Sequence, residues 1–219
     1  MRNKICTALL AAALLLSLLS ACAVNSPLAS SLQQQNPAGS PMRGSWDGLV
    51  FTNEYLGLTF TRPIFWGPAS DEEIAELMGL GLEILEAETD MDIDIDTIME
   101  MANILVFHDM MTANPFTGAS VQILFERLPF PANRLSTPEY IELAAENIAV
   151  TGMEVNLDFP GTTRIGNYYW YSFQTPMEVL GENVYVRHFV TVQNGFARTI
   201  IIIYSEETES LEEILAMFS

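Results

Sequence analysis

Four aspartates at every second position form the most concentrated group of candidate metal ligands in the sequence. They are Asp90, Asp92, Asp94 and Asp96, with one residue between each pair. Carboxylate oxygens at alternate positions are typical of helix–loop–helix calcium sites, which also need a glycine at the sixth position and a bidentate glutamate at the twelfth. The run is therefore either a calcium site or a solvated turn.

The calcium pattern fails at the two positions where its geometry is strictest. Counted from Asp90, the sixth residue is Ile95 and the twelfth is Met101, and neither can replace the glycine or the glutamate. Counting from Asp92 fails at the same two positions. Neither register of the run matches a calcium loop of this type.

A structural role fits the same aspartates better. The apolar residues that follow Asp94 recur at helical spacing, so a short helix is predicted there. Asp94 or Asp96 would cap its N-terminus and meet the positive end of its dipole, while Asp90 and Asp92 would lie in the solvated turn before it. We favour this interpretation and keep the four aspartates as a low-affinity calcium candidate.

The first 21 residues predict export from the cytoplasm. Two basic residues precede an apolar run from Ile5 to Leu19. This run is shorter than the ~20 residues that a helix needs to span a bilayer, so it indicates a signal peptide and not a membrane span. Residues 1–21 are therefore expected to be removed.

Cys22 follows this signal at the position of a lipidated cysteine. The stretch Leu19-Ser20-Ala21-Cys22 resembles the lipobox of bacterial lipoproteins, in which the peptidase cuts before the cysteine. The resemblance implies that the Cys22 thiol carries a diacylglyceryl group, and it places the protein at the cell membrane on the extracytoplasmic side. The alternative is an ordinary secreted protein in which Cys22 is incidental.

The rest of the chain divides into a linker and one domain. Residues 22–44 are rich in Ser, Pro, Gln and Asn and have no hydrophobic period, which predicts a flexible linker with a root-mean-square span of roughly 25 Å. Residues 45–219 have the length and apolar content of a single domain. Loss of Cys6 with the signal leaves one cysteine, so the fold is expected to depend on its core and not on a disulfide.

The sequence is strongly acidic. It carries 28 Asp and Glu against 9 Lys and Arg, a formal net charge of -19 at pH 7. Residues 1–21 hold two basic and no acidic residues, so their removal brings the charge to -21. Such a surface argues against nucleic acid and against direct docking on anionic lipid, and leaves cationic partners, divalent ions or simple solubility.

Local signals predict an antiparallel sheet with helices packed against it. An opening hairpin and a strand at residues 153–159 are expected from their apolar runs. Capping boxes at Ser70–Glu73 and Ser136–Glu139 begin two helices, and a closing helix is predicted to extend to Phe218. Asn194-Gly195 predicts a tight hairpin before a strand that is apolar on both faces and therefore central. This pattern indicates an α+β fold.

The order of these elements resembles that of the PsbP-like proteins. The segments that carry the resemblance are GLVFTNEYLGLTFTRP, TPEYIELAAENI and TIIIIYSEETESLEEIL, at the start, middle and end of the domain. The resemblance covers most of residues 46–219 and implies an α/β/α sandwich with a mainly antiparallel sheet. By analogy alone, it also implies an accessory or binding protein, and a photosynthetic role does not follow from it.

No motif identifies a catalytic residue. His108 and His188 lie in predicted strands without metal-ligand spacing, so both are expected to be core residues. The aromatic run Tyr168–Phe173 could form a binding surface, but strand alternation sends part of it into the core. The paired carboxylates of a hydrolase would meet only in the fold, so that class stays open.

These observations favour a non-enzymatic binding or accessory module of an envelope protein complex, anchored to the membrane through Cys22. The partner protein is not indicated by the sequence, and nucleic acid is not expected. The first alternative is a low-affinity calcium-responsive module that uses Asp90 to Asp96. The second alternative is a carboxylate-dependent hydrolase. Apart from calcium, no cofactor is expected.

Overall fold

The computed structural model describes most of the predicted domain. The described residues are 41–70, 72–74, 76, 106–150, 152–157, 161–179 and 182–219. The predicted signal peptide, Cys22 and the aspartate run Asp90–Asp96 lie outside these residues. Within the described ranges, no helix is both long and apolar enough to cross a membrane.

A small three-stranded sheet begins the domain. Its strands are β1 (Ser45–Asp47), β2 (Val50–Asn53) and β3 (Leu58–Thr61), and each pairs antiparallel with the next. β2 and β3 form the predicted opening hairpin, in which Phe51 and Phe60 are paired in register and buried. β1 has no counterpart in the prediction, because three residues are too few to show a strand period.

A seven-stranded sheet forms the centre of the domain. Its strands are β4 (Gly67–Pro68), β5 (Val106–Ala113), β6 (Ser120–Arg127), β7 (Thr163–Ile165), β8 (Tyr168–Val179), β9 (Glu182–Gln193) and β10 (Phe196–Tyr204). Their spatial order is β4-β5-β6-β10-β9-β8-β7, and every neighbouring pair is antiparallel.

Strand β10 lies between β6 and β9, and all of its residues are buried. The predicted central strand is therefore confirmed, since a strand covered on both faces can be apolar at successive positions. The turn before it is the predicted hairpin. Asn194 and Gly195 have φ angles of 55° and 76°, the left-handed conformations that a two-residue turn of this kind requires.

A 3₁₀ helix at Ala132–Arg134 follows β6, and two α-helices have defined bounds, each of which begins with a capping box. They are α1 (Thr137–Val150) and α2 (Leu211–Leu215). In the predicted box Ser136–Glu139, the carboxylate accepts hydrogen bonds from the backbone N–H and the hydroxyl of the serine. The pairs Ser210–Glu213 and Ser70–Glu73 make the same contacts, and the latter precedes the helical residues 72–74. These boxes satisfy backbone donors that a helix start leaves without partners.

Two of the predicted elements are shorter in the structure than expected. α2 ends at Leu215, and Phe218 forms a bridge with Phe60 of β3 where a longer helix was expected. The strand expected at residues 153–159 is reduced, in its described part, to one bridge between Asn156 and Gln174 of β8. In both places, pairing with an existing strand decides the conformation.

The seven-stranded sheet buries side chains on both faces. One face packs against α1 in a cluster that contains Ile148 and Ile201. The other face packs against the three-stranded sheet and α2 in a cluster that contains Phe60, Ile202 and Ile214. The predicted α+β class with a mainly antiparallel sheet is confirmed, with a small sheet and a short helix forming the described layer on the second face.

Candidate functional site

Three apolar side chains are exposed together on two loops. Ile64 and Phe65 are 81% and 50% exposed between β3 and β4, and Phe116 is 62% exposed between β5 and β6. The ring centroids of Phe65 and Phe116 lie 6.4 Å apart. We call these three residues the aromatic patch. Clustered exposed apolar groups, unlike scattered single ones, indicate an interaction surface.

One carboxylate joins the two loops that carry the patch. Glu209 accepts a hydrogen bond from the Trp66 indole Nε1 at 3.3 Å on one oxygen. Its other oxygen accepts from the Asn114 amide at 2.8 Å and from the Thr117 hydroxyl at 2.6 Å. We call this arrangement the Glu209 clamp. Hydrogen bonds to an ionised group are stronger than neutral ones, so the clamp fixes the relative position of the loops.

Each loop is also held by its own bonds. The Asn114 side-chain oxygen accepts from the Phe116 backbone N–H at 2.9 Å, and the Gly118 N–H donates to the Asn114 carbonyl at 2.9 Å. In the other loop, the Arg62 guanidinium donates to the Trp66 carbonyl. The side chains of the aromatic patch therefore project from a backbone that is already ordered.

The two loops that carry the patch contain no acidic residue, whereas segments that adjoin them in the fold or along the chain do. Residues 61–69 and 113–119 contain no aspartate or glutamate, and their single basic residue is Arg62. The turn that holds Glu209 carries exposed carboxylates at Glu206 and Glu207, and Glu72 is exposed shortly after β4. We call these three carboxylates the acidic rim. An apolar centre with a polar rim is the usual anatomy of a protein–protein interface.

A buried acid lies on the other side of the central sheet. Glu126 of β6 is 2% exposed and accepts a hydrogen bond from the Tyr140 hydroxyl of α1. Burial raises the pKa of Glu126 to about 7, although the Tyr140 bond opposes this shift. The group could hold a proton near neutral pH, but it is closed to a substrate.

His188 is buried on the same face and behaves as a core residue, as expected. Its ring stacks on Phe173 at 4.3 Å, with the planes 5° apart. Burial, with a smaller effect from Arg187, lowers the pKa of His188 to about 3, so the imidazole is neutral at physiological pH. An adjacent cavity of about 10 Å³ has room for about one water molecule. His108 is also buried, at 8% exposure.

A buried arginine lies on the face that packs against the three-stranded sheet. Arg198 is 1% exposed and lies between the rings of Tyr55 and Tyr168, at 4.7 and 4.5 Å from their centroids. Its Nη2 donates to the Tyr55 hydroxyl at 2.7 Å. The aromatic rings therefore stabilise this cation by cation–π contacts.

The aromatic run is divided by strand alternation as predicted. Trp170 is fully buried on one face of β8, while Tyr169 and Tyr171 are 64% and 41% exposed on the other. The buried Trp170 indole donates to the Ile165 carbonyl at 2.9 Å. Core packing thus accounts for one face of the run, in accordance with the sequence analysis.

A second polar contact fixes the start of the described chain. Asp109 accepts from the Gly44 backbone N–H at 2.7 Å and from the Asn53 amide at 2.6 Å. The Asn53 amide also donates to the Met42 carbonyl at 3.1 Å. Burial, the largest effect, raises the pKa of Asp109, and these hydrogen bonds oppose the shift. The contact attaches residues 42–44 to β2 and β5.

The residues of the aromatic patch are not among the sites that the sequence predicts. Cys22 and the four aspartates Asp90, Asp92, Asp94 and Asp96 lie outside the described residues, so both remain predictions. Within the described part of the chain, no three His, Cys, Asp or Glu side chains are grouped as metal ligands would be. The aromatic patch was not predicted, although apolar residues in proline-rich turn segments, such as those around Pro63 and Pro115, could have indicated it.

Comparison with known proteins identifies no family. No protein-family model and no curated protein matches the sequence. A crystal structure from Bacteroides thetaiotaomicron VPI-5482 is similar over 74% of this chain and 44% of its own, with a TM-score of 0.38 and 11% identity. The solution structure of cyanobacterial PsbP (CyanoP) from Synechocystis sp. PCC 6803 is similar over 80% of this chain and 97% of its own, with a TM-score of 0.43 and 12% identity. Similarity at this level assigns no function.

Proposed function

We propose that the protein is a membrane-anchored extracytoplasmic lipoprotein whose domain serves as a binding or accessory module of an envelope protein complex. The observation that supports binding is the aromatic patch, in which Ile64, Phe65 and Phe116 are exposed on loops that the Glu209 clamp orders. The position of Cys22 directly after the apolar core of the signal supports the anchor.

The distribution of titratable groups supports binding over catalysis. Catalytic acids and bases need shifted pKa values at a place that a substrate can reach. Glu126 and His188 have strongly shifted pKa values, but each is 2% exposed. A carboxylate-dependent hydrolase is therefore the less supported alternative.

The relationship to PsbP-like proteins is part of the same proposal. The order of hairpin, helix, antiparallel strands and closing helix supports it, together with the segments quoted above. An accessory role would follow by analogy with that fold. The aromatic patch supports a binding role without the analogy.

Replacement of the predicted lipid-attachment residue tests the anchor. We expect Cys22→Ala to lose labelling by a radioactive fatty acid and to leave the membrane fraction, because the acyl chains supply the membrane affinity. Cys6→Ala is the matched control, since this cysteine lies in the predicted signal peptide, and it should remain labelled and membrane-bound. A Cys22→Ala protein that stays labelled in the membrane would contradict the anchor.

A further inference from the structure

We propose that the aromatic patch docks onto a partner protein whose contact surface has an apolar pocket for Phe65 and Phe116, surrounded by lysine or arginine side chains. This inference rests on the proposed binding function and adds the chemistry of the partner. It follows from the composition of the patch, the ordered conformation of its loops and the acidic charge of the protein.

The patch has the composition of an interface centre. Two phenylalanine rings and an isoleucine project from adjoining loops, with Phe65 and Phe116 in mutual contact. Aromatic side chains that enter a desolvated pocket contribute much of the binding energy of protein interfaces. Phe65 and Phe116 are therefore the anchor residues in this proposal.

The Glu209 clamp preorganises this surface for binding. The carboxylate holds Trp66, Asn114 and Thr117 at hydrogen-bonding distance, so both loops are ordered before a partner arrives. A surface that is already ordered loses less conformational entropy on association. A small apolar patch can then bind specifically.

The acidic rim indicates the charge of the partner surface that binds the aromatic patch. Glu206 and Glu207 are exposed in the turn whose Glu209 contacts both loops, and the protein has a formal charge of -19, so an opposed basic surface would be attracted and its binding favoured. A second copy of the chain would bring the same carboxylates into opposition, which is unfavourable. An anionic bilayer would be repelled by the same groups.

Photo-crosslinking in cells that naturally produce the protein tests the proposal. A photoreactive phenylalanine analogue replaces Phe65 or Phe116 in the full-length chain. The matched control is the same replacement at Phe130, which is 58% exposed but lies between β6 and α1. We expect positions 65 and 116 to crosslink to the same segment of a single protein, and this segment should contain lysine or arginine. Position 130 should give less than about a fifth of that crosslinking yield.

Reversal of the rim charge provides the second test. We expect Glu206→Lys combined with Glu207→Lys to reduce the crosslinking yield at position 65 by about fivefold or more, because it repels a basic partner surface. The neutral pair Glu206→Gln and Glu207→Gln should give an intermediate yield. Tm is measured for each variant, so that a folding defect is distinguished from a binding defect.

The remaining outcomes overturn the proposal. In the first test, they are equal crosslinking yields at positions 65 and 130, or no protein product at positions 65 and 116. Crosslinks to lipid, to a second copy or to residues 77–105 of the same chain also overturn it. In the second test, the contrary outcome is an unchanged crosslinking yield after charge reversal. Failure of the anchor is seen separately, because the Cys22→Ala protein leaves the membrane whether or not the patch crosslinks. The lipid proposal and the partner proposal can therefore fail independently.

Discussion

Glu126 and His188 are buried on the same face of the central sheet, and their burial affects stability in opposite directions with pH. The folded state keeps Glu126 protonated up to a pKa of about 7, against 4.5 in the unfolded chain. It keeps His188 neutral down to a pKa of about 3, against 6.5 in the unfolded chain. Between pH 4.5 and 6.5 the two effects oppose each other, so the pH dependence of the free energy of unfolding of the original protein reveals neither of them.

Substitution of the buried acid should reveal its contribution. The stabilisation from neutral Glu126 is complete below pH 4.5 and is lost as the pH rises through about 7. Glu126→Gln stays neutral and can still accept the bond from Tyr140. We therefore expect the variant to gain stability relative to the original protein at pH 8, by up to about 3 kcal/mol, and to show little gain at pH 4.

Urea unfolding at pH 4, 6 and 8 measures this difference. The exposed Glu142 lies on the same helix as Tyr140, and Glu142→Gln is the matched control. Its effect on stability should be small, within about 0.5 kcal/mol, as for an ordinary surface substitution. A constant difference between Glu126→Gln and the original protein across this range would show that folding does not raise the pKa of Glu126.

The imidazole of His188 should not titrate in the physiological range. Its stabilising neutral form is retained above pH 6.5, and the stabilisation is lost as the pH falls towards 3. We expect the ¹H–¹⁵N imidazole signals of His188, assigned by their loss in His188→Gln, to keep the neutral pattern from pH 5 to 8. The urea-unfolded protein is the control and should titrate near 6.5. A midpoint near 6.5 in the folded protein would contradict the burial argument.

The Glu209 clamp connects three elements that are distant in the chain. It brings together the β3–β4 loop, the β5–β6 loop and the turn before α2 through one carboxylate. Loss of the carboxylate leaves three donors without their partner. A partly buried donor without a partner costs about 1–3 kcal/mol, reduced where water can replace the lost bond.

We expect Glu209→Ala to lower the free energy of unfolding by about 2 kcal/mol and to speed hydrogen exchange in residues 62–68 and 114–118. Glu207→Ala is the matched control, because this residue is exposed in the same turn, and its effect should stay within about 0.5 kcal/mol. Denaturant unfolding and exchange measured by mass spectrometry provide the two readouts. Equal effects of both substitutions would show that the clamp does not order the loops.

Elements with local signals were predicted, and contacts between distant elements were not. The Asn194-Gly195 turn, the capping boxes and β10 each depend on neighbouring residues, so their sequence patterns were sufficient. Glu209 contacts Trp66 and Asn114, which are 143 and 95 positions away along the chain. No local pattern identifies which of 28 acids makes such a contact. Arg198 is similar, because one of its tyrosine neighbours lies in the β2–β3 turn and the other is the first residue of β8.

The whole molecule is acidic enough to interact with any divalent cation through its net charge of -19. A specific calcium site would add a preference for calcium over magnesium, which general screening does not give. The failed loop registers of the aspartate run predict no such preference. We expect calcium and magnesium to raise the Tm of the protein equally at equal concentration.

Thermal unfolding with matched calcium and magnesium series measures this effect. The combined variant Asp92→Asn and Asp94→Asn should respond to both ions in the same way as the original protein. A rise in Tm that is selective for calcium and lost in the double variant would instead identify Asp90 to Asp96 as an ion site. The calcium-responsive alternative would then become the better description of the protein.

The Asp109 contact also determines how mechanical force enters the domain. It holds Gly44 beside Asn53 at one end of β2. At the other end of β2, about 13 Å away, the Arg62 N–H donates to the Leu49 carbonyl, and the loop with Phe65 begins there. In the lipid-anchored protein that we propose, a pull from the bilayer enters the domain at Gly44, and the bond to Asp109 passes part of it into the seven-stranded sheet. β5 thus shares this load with the first strands of the domain, so tension on the proposed lipid anchor reaches the seven-stranded sheet directly.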